Sequence, residues 1–170
     1  MTQEEAFLVE ARSDYAVFEH LLGLYPTVAE CHVLHYFAMA TEKLAKAFLA
    51  HSGSQVPTSH FTFHRICLDL RGQFGALSAI GYSNTSVIDH FLSQAEPLFR
   101  QIEDLQPTAN TQHENVEYPW WQTHPTSGQD WLAPAEVAFA AFQIITATSG
   151  DGLTMMSLVR NLLSHWDKMP

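Results

Sequence analysis

His35-Tyr36-Phe37-Ala38-Met39-Ala40-Thr41-Glu42-Lys43-Leu44-Ala45-Lys46-Ala47-Phe48-Leu49 is the stretch whose spacing decides the fold. Phe37, Ala40, Leu44, Ala47 and Phe48, with Val33 just before them, recur every three or four residues and so share one side of an α-helix. Glu42 precedes Lys46 by four positions, the order in which such a pair supports a helix. The pattern predicts a helix from about Val28 to Ala50, ended by Gly53 and Pro57.

Helical spacing continues on both sides. From Glu4 to about Leu24, Phe7, Ala11, Phe18 and Leu22 fall on one stripe, stopped by Gly23 and Pro26. A shorter helix is predicted from Phe63 to Ile80, with Gly72 and Gly75 disturbing its regularity. After the turn Gly81-Tyr82-Ser83-Asn84, Thr85 or Ser86 can cap a long helix with the stripe Ile88, Phe91, Leu92, Ala95, Phe99, Ile102 and Leu105, kinked at Pro97. Residues 107–131 read as a long loop, rich in Thr, Asn, Gln, His and Pro, that carries Tyr118, Trp120, Trp121 and Trp131. Those rings either fasten the loop to the core or offer a surface for base stacking or a partner. Pro134 then opens a helix to about Ala147 that turns Val137, Phe139, Ala140 and Ile144 inward. Ser149-Gly150-Asp151-Gly152 breaks it, and a last helix from about Leu153 to Trp166 buries Met155, Val159, Leu162 and Trp166. The sum is a single all-α domain over residues 1–170, an up-down bundle of about four core helices with additional helices.

Charge and composition narrow the function. Eight Lys and Arg against eighteen Asp and Glu give a net charge of −10, which excludes a broad basic surface for duplex DNA. The opening Met1-Thr2-Gln3-Glu4-Glu5 is acidic and lacks the basic and apolar regions of a signal peptide. No run approaches eighteen apolar residues, so no membrane contact is expected. Cys31 and Cys67 fit neither a disulfide framework nor a metal motif. These features predict a soluble protein in the reducing cytoplasm.

Near the C-terminal end, Arg160-Asn161-Leu162-Leu163-Ser164-His165 combines a permanent cation, an amide and an imidazole. Arginine grips phosphate with a planar fork, and histidine moves a proton near neutral pH. Such a set suits cleavage of a phosphodiester by a neighbouring hydroxyl.

The segment from His35 to Leu49, followed by Thr58-Ser59-His60, resembles the second helix and its exit in HEPN domains. The Glu42-Lys43 pair, the Lys46-Ala47 pair and the Thr58 to His60 signature carry the likeness. Glu117-Tyr118-Pro119, leading into an Ala-rich helix, is similar to that family's Tyr-Pro segment, with Tyr118 as the matching residue; Glu117 stands where a basic residue is usual. The resemblance covers roughly residues 5–147 and implies a helical core. It further implies, for catalytic members, a metal-independent endoribonuclease with Arg160, Asn161 and His165 as its motif, no cofactor, and a homodimer with RNA or a nucleotide and an antitoxin-type protein as candidate partners. In that reading His165 acts as base or acid, Arg160 stabilises the phosphorane, and Asn161 orients the imidazole or the phosphate. The motif here follows the Ala-rich helix rather than occupying the family's usual position.

Geometry restricts this site. Residues five apart on a helix are separated by about 140°, so Arg160 and His165 do not share a face, whereas Asn161 and His165 do. Two such helices meeting across a two-fold axis could combine Arg160 of one chain with His165 of the other. The alternatives are a non-catalytic nucleotide-binding or protein-interaction module, in which Arg160 and His165 are merely the flank of a packing helix, and a histidine-ligated metal hydrolase of helical-bundle type. For the last, His60 and His64 stand four apart and could share a helical face, and His32 with His35 makes a second pair among the ten histidines. No Glu precedes a His by three, however, which removes the di-iron signature.

Overall fold

The computed structural model describes residues 1–58, 63–105, 114, 116–124, 128–147 and 150–170. Among them are eight α-helices and one two-stranded hairpin, so the fold is all-α as the sequence predicts. The buried side chains form one contiguous cluster.

Helix α1 (Gln3–Gly23) begins with a reciprocal cap: the Glu5 amide donates to the Thr2 hydroxyl at 3.1 Å and the Thr2 amide to the Glu5 carboxylate at 2.7 Å. It buries Leu8, Ala11, Tyr15 and Phe18, while Phe7 and Leu22 of the predicted stripe are only partly covered. Helix α2 (Glu30–His51) is the central element. Val33, Leu34, Phe37, Ala38, Ala40, Thr41, Leu44, Ala45, Ala47 and Phe48 are buried on most of its circumference, as expected of a helix enclosed by others. The Phe18 and Phe37 rings meet at 4.8 Å between the two helices.

The next two predicted helices are each broken in two. Gly72, at φ +74°, occupies the left-handed region and separates α3 (Phe63–Leu70) from α4 (Phe74–Ala79). Its amide donates to Asp89 at 2.7 Å, so the break is anchored to the following helix. The long helix expected after Asn84 splits at Ala95 into α5 (Thr85–Gln94) and α6 (Glu96–Asp104). Pro97 therefore opens α6, where a missing N–H costs nothing, instead of kinking one helix. Asn84, rather than Thr85 or Ser86, supplies the cap to the Val87 amide at 3.3 Å. The whole stripe from Ile88 to Leu105 is nonetheless buried.

Part of the predicted loop is a hairpin of β1 (Trp120–His124) and β2 (Gly128–Leu132), antiparallel with Trp120 opposite Leu132 and Trp121 opposite Trp131. Trp120 is buried and its ring lies 6.3 Å from that of Phe139, so at least this ring fastens the segment to the core. Trp131 is 67 % exposed and Tyr118 58 %.

The helix expected from Pro134 is shorter. Pro134–Glu136 forms a 3-10 turn, Val137 and Phe139 are extended, and α7 covers only Ala140–Ile145. The buried Glu30 carboxylate accepts the Phe139 N–H at 2.7 Å and holds the backbone extended there. The inward residues are Phe139, Ala141, Phe142 and Ile145; Ala140 is exposed and Ile144 only half-buried. Helix α8 (Asp151–His165) buries Met155, Val159 and Leu162, and Trp166 beyond it, as the spacing predicts. No helix among the described residues is long and apolar enough to cross a membrane.

Candidate functional site

Helix α8 positions the Arg160 to His165 run. Gly150, at φ +84°, starts it, and Gly152 lets its first turn lie directly against the Ile144 carbonyl. The apolar stripe of α8 faces the core, which leaves the polar residues on its two flanks. Arg160 lies on the flank toward α1, half exposed, where its Nη2 and Nε donate to Glu19 Oε1 at 3.0 and 3.3 Å. The Glu19 carboxylate thereby holds the guanidinium more firmly charged than usual.

His165 lies on the other flank. Its Nδ1–H donates to the Asn161 carbonyl at 3.2 Å, one helical turn back, and its Cε1 approaches Gly81 at the end of α4. Asn161 faces the same way, toward the buried Tyr82 hydroxyl, whose phenol it helps to hold down. Burial pushes the Tyr82 phenol up to about 12. Asn161 and His165 are thus brought together, as their spacing requires, and Arg160 is not brought to them.

On the Arg160 side, α1 contributes three polar residues that the sequence reading passed over. Arg12 donates from Nε and Nη2 to the Leu163 carbonyl at 3.1 and 2.9 Å, which caps the C-terminal end of α8. Tyr15 sits beside Arg160 with its hydroxyl buried, its O–H without an acceptor and its phenol pushed up to about 12 by burial. Glu19 completes the row. The spacing 12, 15, 19 marks one face of a helix and was legible as such; its meeting with α8 was not.

Of the remaining sequence candidates, Glu42, Lys43, Lys46 and His64 form ion pairs. Lys46 pairs with Glu42 along α2, both largely buried. Lys43 crosses to α1, binding Asp14 at 2.6 Å and Glu10 at 3.4 Å. Burial pulls its ammonium down, and the two carboxylates outweigh that and raise it. Glu117 binds His35 Nδ1 at 2.9 Å. His60 lies outside the described residues. His64 turns its Nδ1 to Glu103 at 2.9 Å. Among the described residues no three His, Cys, Asp or Glu side chains are grouped to hold a metal ion. Burial raises both cysteine thiols, Cys67 most, which keeps them out of their nucleophilic form.

Comparison with protein-family models, curated proteins and solved structures finds no match to this chain.

Proposed function

We propose that this chain is a non-catalytic nucleotide-binding or protein-interaction module with a HEPN-like helical core, and not an endoribonuclease. The observation that carries this reading is the separation of Arg160 and His165. Arg160 is engaged by Glu19 on α1, while His165 is turned to the opposite flank with one ring nitrogen spent on the Asn161 carbonyl. Phosphodiester cleavage by a neighbouring hydroxyl needs the proton-transfer group and the cation on the same phosphate. A single chain does not offer that, and the net charge of −10 adds no general attraction for RNA.

The deciding experiment is an RNA cleavage assay in excess chelator, comparing the parent with His165→Ala. The expected result is no cleavage above background in either. Chelator-insensitive cleavage by the parent that disappears in His165→Ala would overturn the reading in favour of a site completed across a homodimer.

A further inference from the structure

We propose that the groove between α1 and α8 is a binding site for a phosphate group, and that Glu19 occupies its arginine fork until a phosphate displaces it. The proposal deepens the binding-module reading by naming what one surface of the module takes. The groove is a shallow, open depression of about 380 Å3 lined by Arg12, Tyr15, Ala16, Glu19, Leu163 and Ser164.

Arg160, reached through the lining residue Glu19, already binds an oxyanion, the Glu19 carboxylate, through Nε and Nη2. Both partners of that pair are about half exposed, and exposed pairs of this kind are weak. A phosphate carries more charge and three acceptor oxygens, so it competes well for the same fork. Beside the fork stands the buried Tyr15 hydroxyl; its neighbour Arg160 can only donate to it, so the phenol's own O–H has no acceptor. A buried donor left unpaired is costly, and an oxyanion seated on Arg160 gives it an acceptor. Burial keeps this phenol protonated at neutral pH, so it can donate. The C-terminal end of a helix repels anions. Here Arg12 covers the Leu163 carbonyl and places its own positive charge between the helix end and the groove. It spends only part of its five-donor fork in doing so.

The probes are inorganic phosphate and adenosine 5′-monophosphate, titrated into the full chain and followed by amide chemical shifts, with Glu19→Gln, Arg160→Gln and Tyr15→Phe as variants. Binding is expected to be confined to residues of α1 and α8. Removing the internal competitor in Glu19→Gln should tighten it about two- to fivefold. Arg160→Gln should weaken it by about tenfold or more, with an unchanged melting temperature as the control for folding. Tyr15→Phe should weaken it about threefold. Tighter binding of the nucleotide than of phosphate places a nucleoside in the groove; equal binding means that the phosphate alone is read. No saturable shift with either probe in both the parent and Glu19→Gln overturns the proposal, and so does binding that Arg160→Gln leaves unchanged. Cleavage of RNA is not read in this experiment, so its failure and that of the binding-module reading are distinguishable.

Discussion

The buried Glu103 carboxylate on α6 accepts two hydrogen bonds from His64 on α3, one from the backbone N–H and one from Nδ1–H, each at 2.9 Å. The first satisfies an amide in the opening turn of α3, which has no partner within its own helix. The second fixes the imidazole with its proton on Nδ1. One side chain thus joins α3 to α6, whose Phe99 and Ile102 belong to the buried stripe from Ile88 to Leu105.

Glu103→Ala should therefore cost about 1–3 kcal/mol, because it strands a half-buried amide and a half-buried ring N–H together. Glu103→Gln keeps an oxygen for one of the two donors and should cost visibly less. Urea unfolding checks this through the midpoint at constant slope. Equal midpoints for the parent and the alanine variant would show that water or another group takes over both donors.

Gly152→Ala should be among the most damaging single-methyl additions in the chain. A Cβ there would lie 1.7 Å from the Ile144 carbonyl oxygen and 2.7 Å from its carbon, so the first turn of α8 must move off α7. Overpacking of this kind costs about 1–3 kcal/mol or more, which lowers the melting temperature of a chain this size by several degrees. Gly75→Ala is the control: a Cβ at that helical position meets nothing within 4 Å, so the change should be neutral or raise stability by about 0.4–1 kcal/mol. Scanning calorimetry of the two variants separates the outcomes, and similar melting temperatures would contradict the tight approach of α8 to Ile144.

The sequence made α2 and α8 legible because each repeats a long apolar stripe, and it made the separation of Arg160 from His165 legible because five helical steps turn most of the way to the opposite face. The breaks at Gly72 and Ala95 were not legible in the same way. Apolar spacing runs through both; Gly72 and Pro97 signal a disturbance, but only the left-handed φ of Gly72 and the start of α6 at Glu96 show full breaks. The hairpin escaped because its strands are five residues each and polar residues separate the rings, too short a pattern to stand out against a loop. Glu19 and Arg160 are 141 residues apart, and Glu30 and Phe139 are 109 apart. Pairings of that kind come from how helices dock, which periodicity along one helix does not encode.

Glu30→Ala tests the second of these pairings. The variant leaves the Phe139 N–H buried without its acceptor, at the point where the backbone changes from extended to helical. The loss should be local, because the Phe139 side chain stays in the core. Native-state amide exchange at Phe139 should accelerate by about 10- to 100-fold, corresponding to about 1.4–2.8 kcal/mol, while amides in the middle of α2 change little. Exchange at Phe139 as slow as in the parent would mean that the extended segment is held by packing alone.

A cluster joining the start of α1, the end of α2 and the residues after α8 should give stability a maximum in mildly acid solution. Trp166 Nε1–H donates to Glu4 at 2.8 Å, and His51 binds both Glu4, at 3.1 Å, and the Pro170 carbonyl, at 3.0 Å. The bond from Trp166, with help from His51, lowers the Glu4 carboxyl below its ordinary 4.5. The Pro170 carbonyl, with Glu4, raises the His51 imidazole above its ordinary 6.5. A depressed acid stabilises above its unfolded value and loses that contribution as pH falls through its folded value. A raised base contributes fully below its unfolded value and loses it as pH rises through its folded value. Both contributions are complete only between about pH 4.5 and 6.5. In Glu4→Gln the acid-side dependence should vanish and the base-side dependence shrink to what the Pro170 carbonyl alone sustains. Melting temperatures of parent and variant from pH 3 to pH 8, compared as a difference, should peak inside that window; a flat difference would show that the cluster does not couple its protons to folding.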